Sequence, residues 1–446
     1  MLQTMNLLDR WFGAGDDQEP VISFGRHGDA QETAARQQHW EASQAAFRAA
    51  DYLVSCRSLL QYMSNPEGDN LSWRFEQEQL HFSFFQGSKK ISGQADHRQL
   101  RAQVRLGRLG AQDMPELSLQ LLARNASFYY CRYAIDDERC ICLVFDTLIQ
   151  DAAPSKLYNA FRELAIAADK LDDLLLDSFP QVAAVESEHL QAVPPDEQRT
   201  RVAFIRERVA SALRLAGDPL AKISRHPQAI SYVLLDALFR IDYLTRPEGI
   251  GMESLERAQR LYFDRFNKRQ IQARNALLAE ELQLLASRSE ACLSREMYRG
   301  IYTFGITQHV SHERVVQQID HELPNIAWYL DQECPLAATA IAGYVIGYCL
   351  FNFSLPPVDK ELFHLYYRIT EPAFFADLGF APAYAEPATG KPLRRPIRQA
   401  LDKLAEKQQD QNPKLQLAVD KLVFDDLARF SYSYLQMIHQ LRLNQQ

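Results

Sequence analysis

The chain has 446 residues, of which 47% are hydrophobic and 24% charged, with a formal net charge of −8 and seven cysteines. This is the mix of a globular protein long enough for two or three domains, able to bury its core without disulfides or metals. It speaks against a disordered chain, a disulfide framework and nucleic-acid binding through net charge. The first charged residue is Asp9, and no basic segment precedes an apolar one there, so no secretory signal is expected. Reduced thiols and a cytoplasmic location follow as expectations. Residues 1–33 read as an extended leader, because Asp16, Asp17, Glu19 and Pro20 break any helix begun at Leu7, and Gly25 and Gly28 keep the chain irregular. A helix is expected from about Glu41, where Ala46, Ala50, Leu53, Cys56, Leu60 and Met63 make one apolar stripe. Asn65, Pro66 and Gly68 end it.

The period then changes from 3.6 to 2. Leu71, Trp73 and Phe75 alternate with polar residues, then Leu80, Phe82 and Phe84, and, after a loop at Gly87–Gly93, Leu100, Ala102, Val104 and Leu106. A short helix follows over Met114–Ala126, with Asp113 as cap, Pro115 in the first turn and Glu116 in the capping-box position. Strands at Phe128–Ile135 and Arg139–Asp146 are joined by Asp136 and Asp137. A long helix closes the unit along the stripe Leu157, Phe161, Leu164, Ala168, Leu171 and Leu175. The reading is α+β: a five-stranded antiparallel sheet in the order α-β-β-β-α-β-β-α, followed by an all-α domain.

That order, with the run ARNASFYYCRYAIDDERCICLVFDT before a long helix, resembles a YbjN-type domain over residues 34–180. Such domains are similar in fold to class I chaperones of type III secretion. The resemblance implies an antiparallel sheet backed by helices, a homodimer, and the binding of protein segments without catalysis. This chain departs from stand-alone chaperones by some 250 further residues.

Residues 181–196 read as a linker stopped by Pro194 and Pro195. A helical domain spans 197–380, with helices at Glu197–Ala216, Gln228–Thr245, Met252–Ala286, Ser311–Gln332, Leu336–Phe353 and Asp359–Ile369. A Pro-rich loop covers 381–396, and a helical hairpin, Ile397–Gln409 with Pro413–Leu441, fills 397–446. No fixed-period repeat is present. The charge-free run between Pro335 and Pro356 is long enough to cross a bilayer. Its polar dilution and acidic flanks instead point to a buried central helix, with Gly343 and Gly347 where neighbours approach closely.

Four clusters invite a chemical reading. Pairing Ile135 with Glu138 would set Cys131 opposite Cys142 with Cys140 beside them; a fourth zinc ligand is missing, so packed, metal-free thiols are expected. His309, His312, Asp320, His321 and Glu322 do not have zincin spacing, and His312 and His321 fall on opposite helix sides, so surface or capping roles are expected. Asp169, Asp172, Asp173 and Asp177 lie opposite the apolar stripe and read as a solvated face. Arg265, Lys268, Arg269 and Arg274, like Arg101 and Arg105 on one strand, could hold a phosphate or an acidic peptide, but no nucleic-acid motif accompanies them. A phosphate loop and a nucleophile elbow are both absent.

The resemblance to a YbjN-type domain implies a non-catalytic protein-binding or chaperone-like module, expected to act without cofactor, nucleic acid or membrane. No catalytic, cofactor-binding or metal-binding residue is assigned, and Arg101, Arg105, Tyr129 and Tyr133 form the candidate partner surface. With Phe128, Tyr130 and Ala134 on one face of the strand and Tyr129, Cys131, Tyr133 and Ile135 on the other, one apolar face needs cover. A partner subunit, the helical domain or a bound peptide could supply it, and the resemblance to a YbjN-type domain favours a homodimer. The alternative is an enzyme or ligand-binding protein whose site lies in the helical domain or between the domains, so the question of catalysis stays open.

Overall fold

The computed structural model describes residues 19–29, 32–110, 115–185, 189–264 and 269–443, the side chains of residues 172 and 173 excepted. The chain is an α+β protein of two compact units. The first takes Asp29–Ala192 and Tyr298–Ile306; the second takes Val193–Met297, the chain from Thr307 on and, of the described leader, residues 19–28. The sequence reading divides the chain serially, whereas here each unit collects separate stretches.

In the first unit, α1 (Ala34–Arg48) and α2 (Tyr52–Met63) replace the single helix expected from Glu41. Ala50 adopts a left-handed φ of 59° and turns the chain back. Ser43 Oγ then donates to the Ser55 carbonyl at 2.8 Å, and Ser55 Oγ to the Ser43 carbonyl at 2.9 Å. Apolar spacing continues through the break, which is why one stripe was legible where two helices exist.

Strands β1 (Leu71–Glu76), β2 (Gln79–Gly87), β3 (Lys89–Ala95) and β4 (Gln99–Arg108) form an antiparallel meander. Then come α3 (Pro115–Asn125), β5 (Arg132–Ile135), β6 (Cys140–Leu148) and α4 (Pro154–Ser178). The expected cap Asp113 lies outside the described residues. The sheet order is β1-β2-β3-β4-β6-β5, six strands in place of five. The sixth is β3, where the sequence reads as loop. It pairs on both sides, and its Gly93 lies opposite Phe82, whose ring would be 2.2 Å from any added Cβ.

A seventh strand comes from far along the chain. Of the short strands β7 (Gln191–Ala192), β8 (Tyr298–Arg299) and β9 (Ile301–Tyr302), β9 pairs with the end of β2 and β8 pairs with β7. The expected linker is thus bound to this unit, and Ala183 also bridges Arg108. The inner sheet face (Leu80, Phe82, Phe84, Leu100, Val104, Leu143, Phe145) packs on Leu157, Phe161 and Leu164 of α4, all buried. The outer face is mostly polar, with Ser92, Gln94 and Arg101 exposed.

The second unit is helical: α5 (Pro195–Gly217), α6 (Pro227–Thr245), α7 (Gly249–Phe263), α8 (Ile271–Ser287), α9 (Glu290–Arg295), α10 (His312–Asp331), α11 (Pro335–Asn352), α12 (Pro357–Thr370), α13 (Pro372–Asp377), α14 (Arg394–Gln408) and α15 (Leu427–His439). A two-residue parallel pair joins β10 (Gln308–His309) to β11 (Phe353–Ser354). Several helices start on proline, which fits a first turn because its missing N–H is not needed there. Two long expected helices are shorter. The stretch 252–286 is α7 and α8, and the second arm of the C-terminal hairpin shrinks to α15. Asp426 caps α15 by accepting from the Arg429 N–H at 2.9 Å, and before it Leu415 and Leu417 pack from irregular chain and Val419 from a 3-10 turn.

The apolar run is α11, the only described helix long and apolar enough to cross a membrane, and 72% of it is buried inside the protein. Its glycines face α6: an added Cβ would lie 2.0 Å from Asp236 Oδ1 at Gly343 and 2.4 Å from Phe239 Cβ at Gly347. Residues 19–28 of the leader are extended and built into this unit. Phe24 stacks among Tyr243, His364 and Phe375, and the Gly25 N–H donates to the Tyr243 carbonyl at 2.7 Å. Arg26 joins Asp242 and Glu256 at 2.7 and 3.0 Å. The leader residues before Glu19 lie outside the described residues.

Candidate functional site

The sequence-derived surface residues separate into different environments. Arg101 is exposed on the outer sheet face. Arg105 is engaged within the chain, by Asp136 at 2.8 Å and Glu138 at 2.9 Å. Burial works against the charge of Asp136, but the Cys140 N–H and Arg105 outweigh it and hold the carboxyl below the usual carboxylate range. Tyr133 is half-buried on β5, with its ring 5.6 Å from Phe128 and its N–H donated to Asn125 Oδ1 at 2.8 Å. Tyr129 is 92% exposed and lies before β5, in irregular chain. The two tyrosines therefore do not share a strand face.

One residue that no motif marks organises this region. Glu163, on α4, accepts the N–H of Tyr129 through Oε1 at 2.8 Å, and those of Tyr130 and Cys131 through Oε2 at 2.8 and 3.0 Å. A carboxylate bridging three successive backbone amides ends the strand early and fixes the tyrosine segment. Beside it runs an open groove of about 760 Å³, floored by Ile166, Ala167 and Leu171 of α4 and walled by Phe128, Tyr129 and Tyr130. Arg124, Arg162 and Lys170 also line it. Arg162 is held by the Gly305 carbonyl at 2.9 Å and by Asp29 at 3.5 Å. Leu119 and Leu122 of α3 are 68% and 66% exposed. Of these features the aromatic run was visible in the sequence, whereas Glu163 sits in a helix with nothing local to distinguish it.

The thiols are corrected. Asp136 Oδ1 accepts the N–H of Glu138 at 3.0 Å and of Cys140 at 2.8 Å, closing a four-residue loop, so Ile135 pairs with Ile141 and Ala134 with Cys142. That is an odd shift from the expected register, and it reverses which residues share a face. Cys131 enters the main core, while Cys140 and Cys142 pack with Val144 and Val185 on the other side. Burial raises the Cys131 thiol and pushes Cys142 up to about 12. All seven cysteines are free, and among the described residues no cluster of three or more metal-ligating side chains occurs.

The other clusters also resolve. Asp169 is buried, not solvated: its Oδ1 accepts the Ser88 N–H at 2.7 Å and Oγ at 3.2 Å. Asp177 is exposed, and the side chains of Asp172 and Asp173 are outside those described. His312 is likewise buried, its Nδ1 2.8 Å from Asp359 Oδ1, while His309 and His321 are exposed. Of the basic cluster, Arg265 and Lys268 lie outside the described residues, Arg269 is exposed, and Arg274 stacks over Tyr262 at 5.2 Å.

Compared with protein-family models and with curated proteins, the chain matches none.

Proposed function

We propose that the α+β unit is a non-catalytic, chaperone-like module that binds a segment of another protein in the groove beside Glu163. The observation that carries this is Tyr129, a ring 92% exposed on a backbone that Glu163 pins. An exposed aromatic on a fixed support is a contact surface whose ordering entropy is already spent. The apolar floor and the basic residues around it favour a segment that combines apolar and acidic side chains. The edge strand β1, carrying exposed Trp73 and Phe75, offers unpaired backbone of the kind that accepts an added strand. The resemblance to a YbjN-type domain supports the same reading, and a cytoplasmic setting suits seven free thiols.

The test is a photo-crosslinking residue at position 129 in the full chain, expressed in cells. Adducts with other proteins, lost on Glu163→Gln, are expected. Adducts only at twice the chain mass would assign the groove to a second copy, and no adduct would remove it as a binding surface. The alternative of a ligand site in the helical unit has an observation of its own, a cleft beside Asp236.

A further inference from the structure

The helical unit holds a cleft of about 290 Å³ between α5, α6, α11 and the start of α15. A smaller hollow of about 170 Å³ adjoins it across Arg208, Ser211 and Glu371, which line both. The floor is a chain of buried charges. Asp236 and Arg240 lie one turn apart on α6, and Arg240 Nε donates to Asp236 Oδ1 at 2.7 Å. Arg240 Nη1 donates to Glu371 Oε1 and to Thr370 Oγ1, both at 2.7 Å. The other oxygen of Glu371 takes Arg208.

Asp236 differs from Glu371. It is only 9% exposed, it lines the cleft, and Oδ1 alone is engaged. Its Oδ2 has no hydrogen bond to the described residues and is not fully buried, and the residue lines the cleft. A nearly buried carboxylate with one unused oxygen is costly without a donor. Burial accordingly pushes its carboxyl above the usual range, although Arg240 and Arg208 pull the other way. Above it stand the apolar walls Leu215, Val233, Leu336 and Ala340. Across the two hollows Asp236 and Glu371 are paired with Arg240 and Arg208, Asp426 lies 3.4 Å from Arg429, and the exposed Glu207 and Asp377 add two further carboxylates. No described cluster of side chains suits a metal ion.

We propose that this cleft binds an aliphatic organic cation, its ammonium on Asp236 Oδ2, its methylene stem between Leu215 and Leu336, and a second ammonium, where present, in the hollow by Glu207 and Asp377. The cleft's volume suits a short alkyl chain, and its surplus of carboxylates rejects anions. An ammonium supplies donors to Asp236 Oδ2, which a neutral alkyl chain does not. This site lies within the helical unit and is independent of the groove beside Glu163.

Calorimetric titration of the full chain tests it, with putrescine (a four-carbon diamine), butylamine, butanol and butyrate as probes. Saturable binding of putrescine at one per chain is expected, with butylamine weaker by about tenfold and no heat from butanol or butyrate. Asp236→Asn should weaken putrescine by at least about tenfold. Because that change also removes a partner of Arg240, Leu336→Trp serves as a second variant. Leu336 is 52% exposed and lines the cleft, so a larger side chain there takes up cleft volume while every charged group is kept. It should abolish binding while leaving the melting temperature and far-ultraviolet spectrum as they were, and it decides alone if Asp236→Asn does not fold. Equal binding of butanol or butyrate, undiminished putrescine binding in a folded variant, or no saturable heat for putrescine up to about 10 mM would overturn the assignment.

Discussion

His312 and Asp359 show what a single buried pair does to this protein. Burial by itself weakens proton binding at His312, but the hydrogen bond and charge of Asp359 outweigh it and raise the imidazole above its ordinary 6.5. Asp359 is fully buried, and burial raises its carboxyl in turn, partly offset by His312. Both shifts mean that the folded state holds its proton more tightly than the unfolded one. The His312 contribution is therefore complete below about pH 6.5 and lost as pH rises through its folded value, whereas that of Asp359 is complete only below its ordinary 3.8 and lost as pH rises through its own folded value. We expect His312→Asn to cost more stability at about pH 6 than at about pH 9, as read from urea midpoints of both proteins. An identical cost at the two pH values would count against the pair. His312 was visible as a histidine, but its partner lies 47 residues away, and no local spacing announces that distance.

At the scale of elements, apolar period 3.6 marked most of the helices, and polar dilution marked α11 as a core helix. Why α11 carries glycines became clear only in contact with α6. Gly343 leaves room for the Asp236–Arg240 pair, with 2.0 Å to Oδ1 where a Cβ would stand. Gly343→Ala should therefore destabilise the helical unit by more than about 2 kcal/mol, although alanine is the better helix former by about 1 kcal/mol. Gly217, at the end of α5, has nothing within 4 Å of its added Cβ, so Gly217→Ala should be neutral or stabilising by up to about 1 kcal/mol. Urea unfolding of the two variants checks the contrast; similar effects would show that packing at Gly343 does not control the outcome. The strand β3 is the converse case. Lysines, serine and glycine do not read as a strand, yet pairing on both edges makes one, because ladder hydrogen bonds override weak local preference.

For the whole molecule, the decisive feature is the return of Tyr298–Ile306 to the first unit. Phe304 is 2% exposed, in edge contact with Phe84 and Tyr158, and the Gln86 side chain donates to its carbonyl at 3.2 Å and accepts its N–H at 3.0 Å. The domain read from the sequence at 34–180 leaves out this strand. A fragment of residues 29–192 should unfold at lower urea than the same fragment carrying 298–306 on a flexible linker. The difference should be about 3 kcal/mol or more, as for truncating a buried aromatic. Equal midpoints would mean that the returning segment only decorates the sheet. The expected apolar second face of the 128–135 strand is shorter than the sequence reading has it. That strand begins at Arg132, and the apolar residues on its outer side, Ala134 with Cys142 and Val144 of β6, are covered by Val185 of the same unit.

By itself, the sequence determined the α+β class, the positions of the main helices and the alternation of the inner sheet face, because each rests on periodicity within a few turns of chain. It also marked the aromatic run at 128–130 as unusual. Only the tertiary structure decided the register of β5 on β6, the capture of residues 298–306, the role of Glu163 and the half-engaged Asp236. Each of these depends on hydrogen bonds or ion pairs between residues that need not be neighbours in the chain. Asp136 alone reverses a strand's faces by closing a four-residue loop, and Glu163 reaches 34 residues back to Tyr129. Local pattern carries the free energy of burial along an element, while specific polar contacts choose among the few ways of joining the elements.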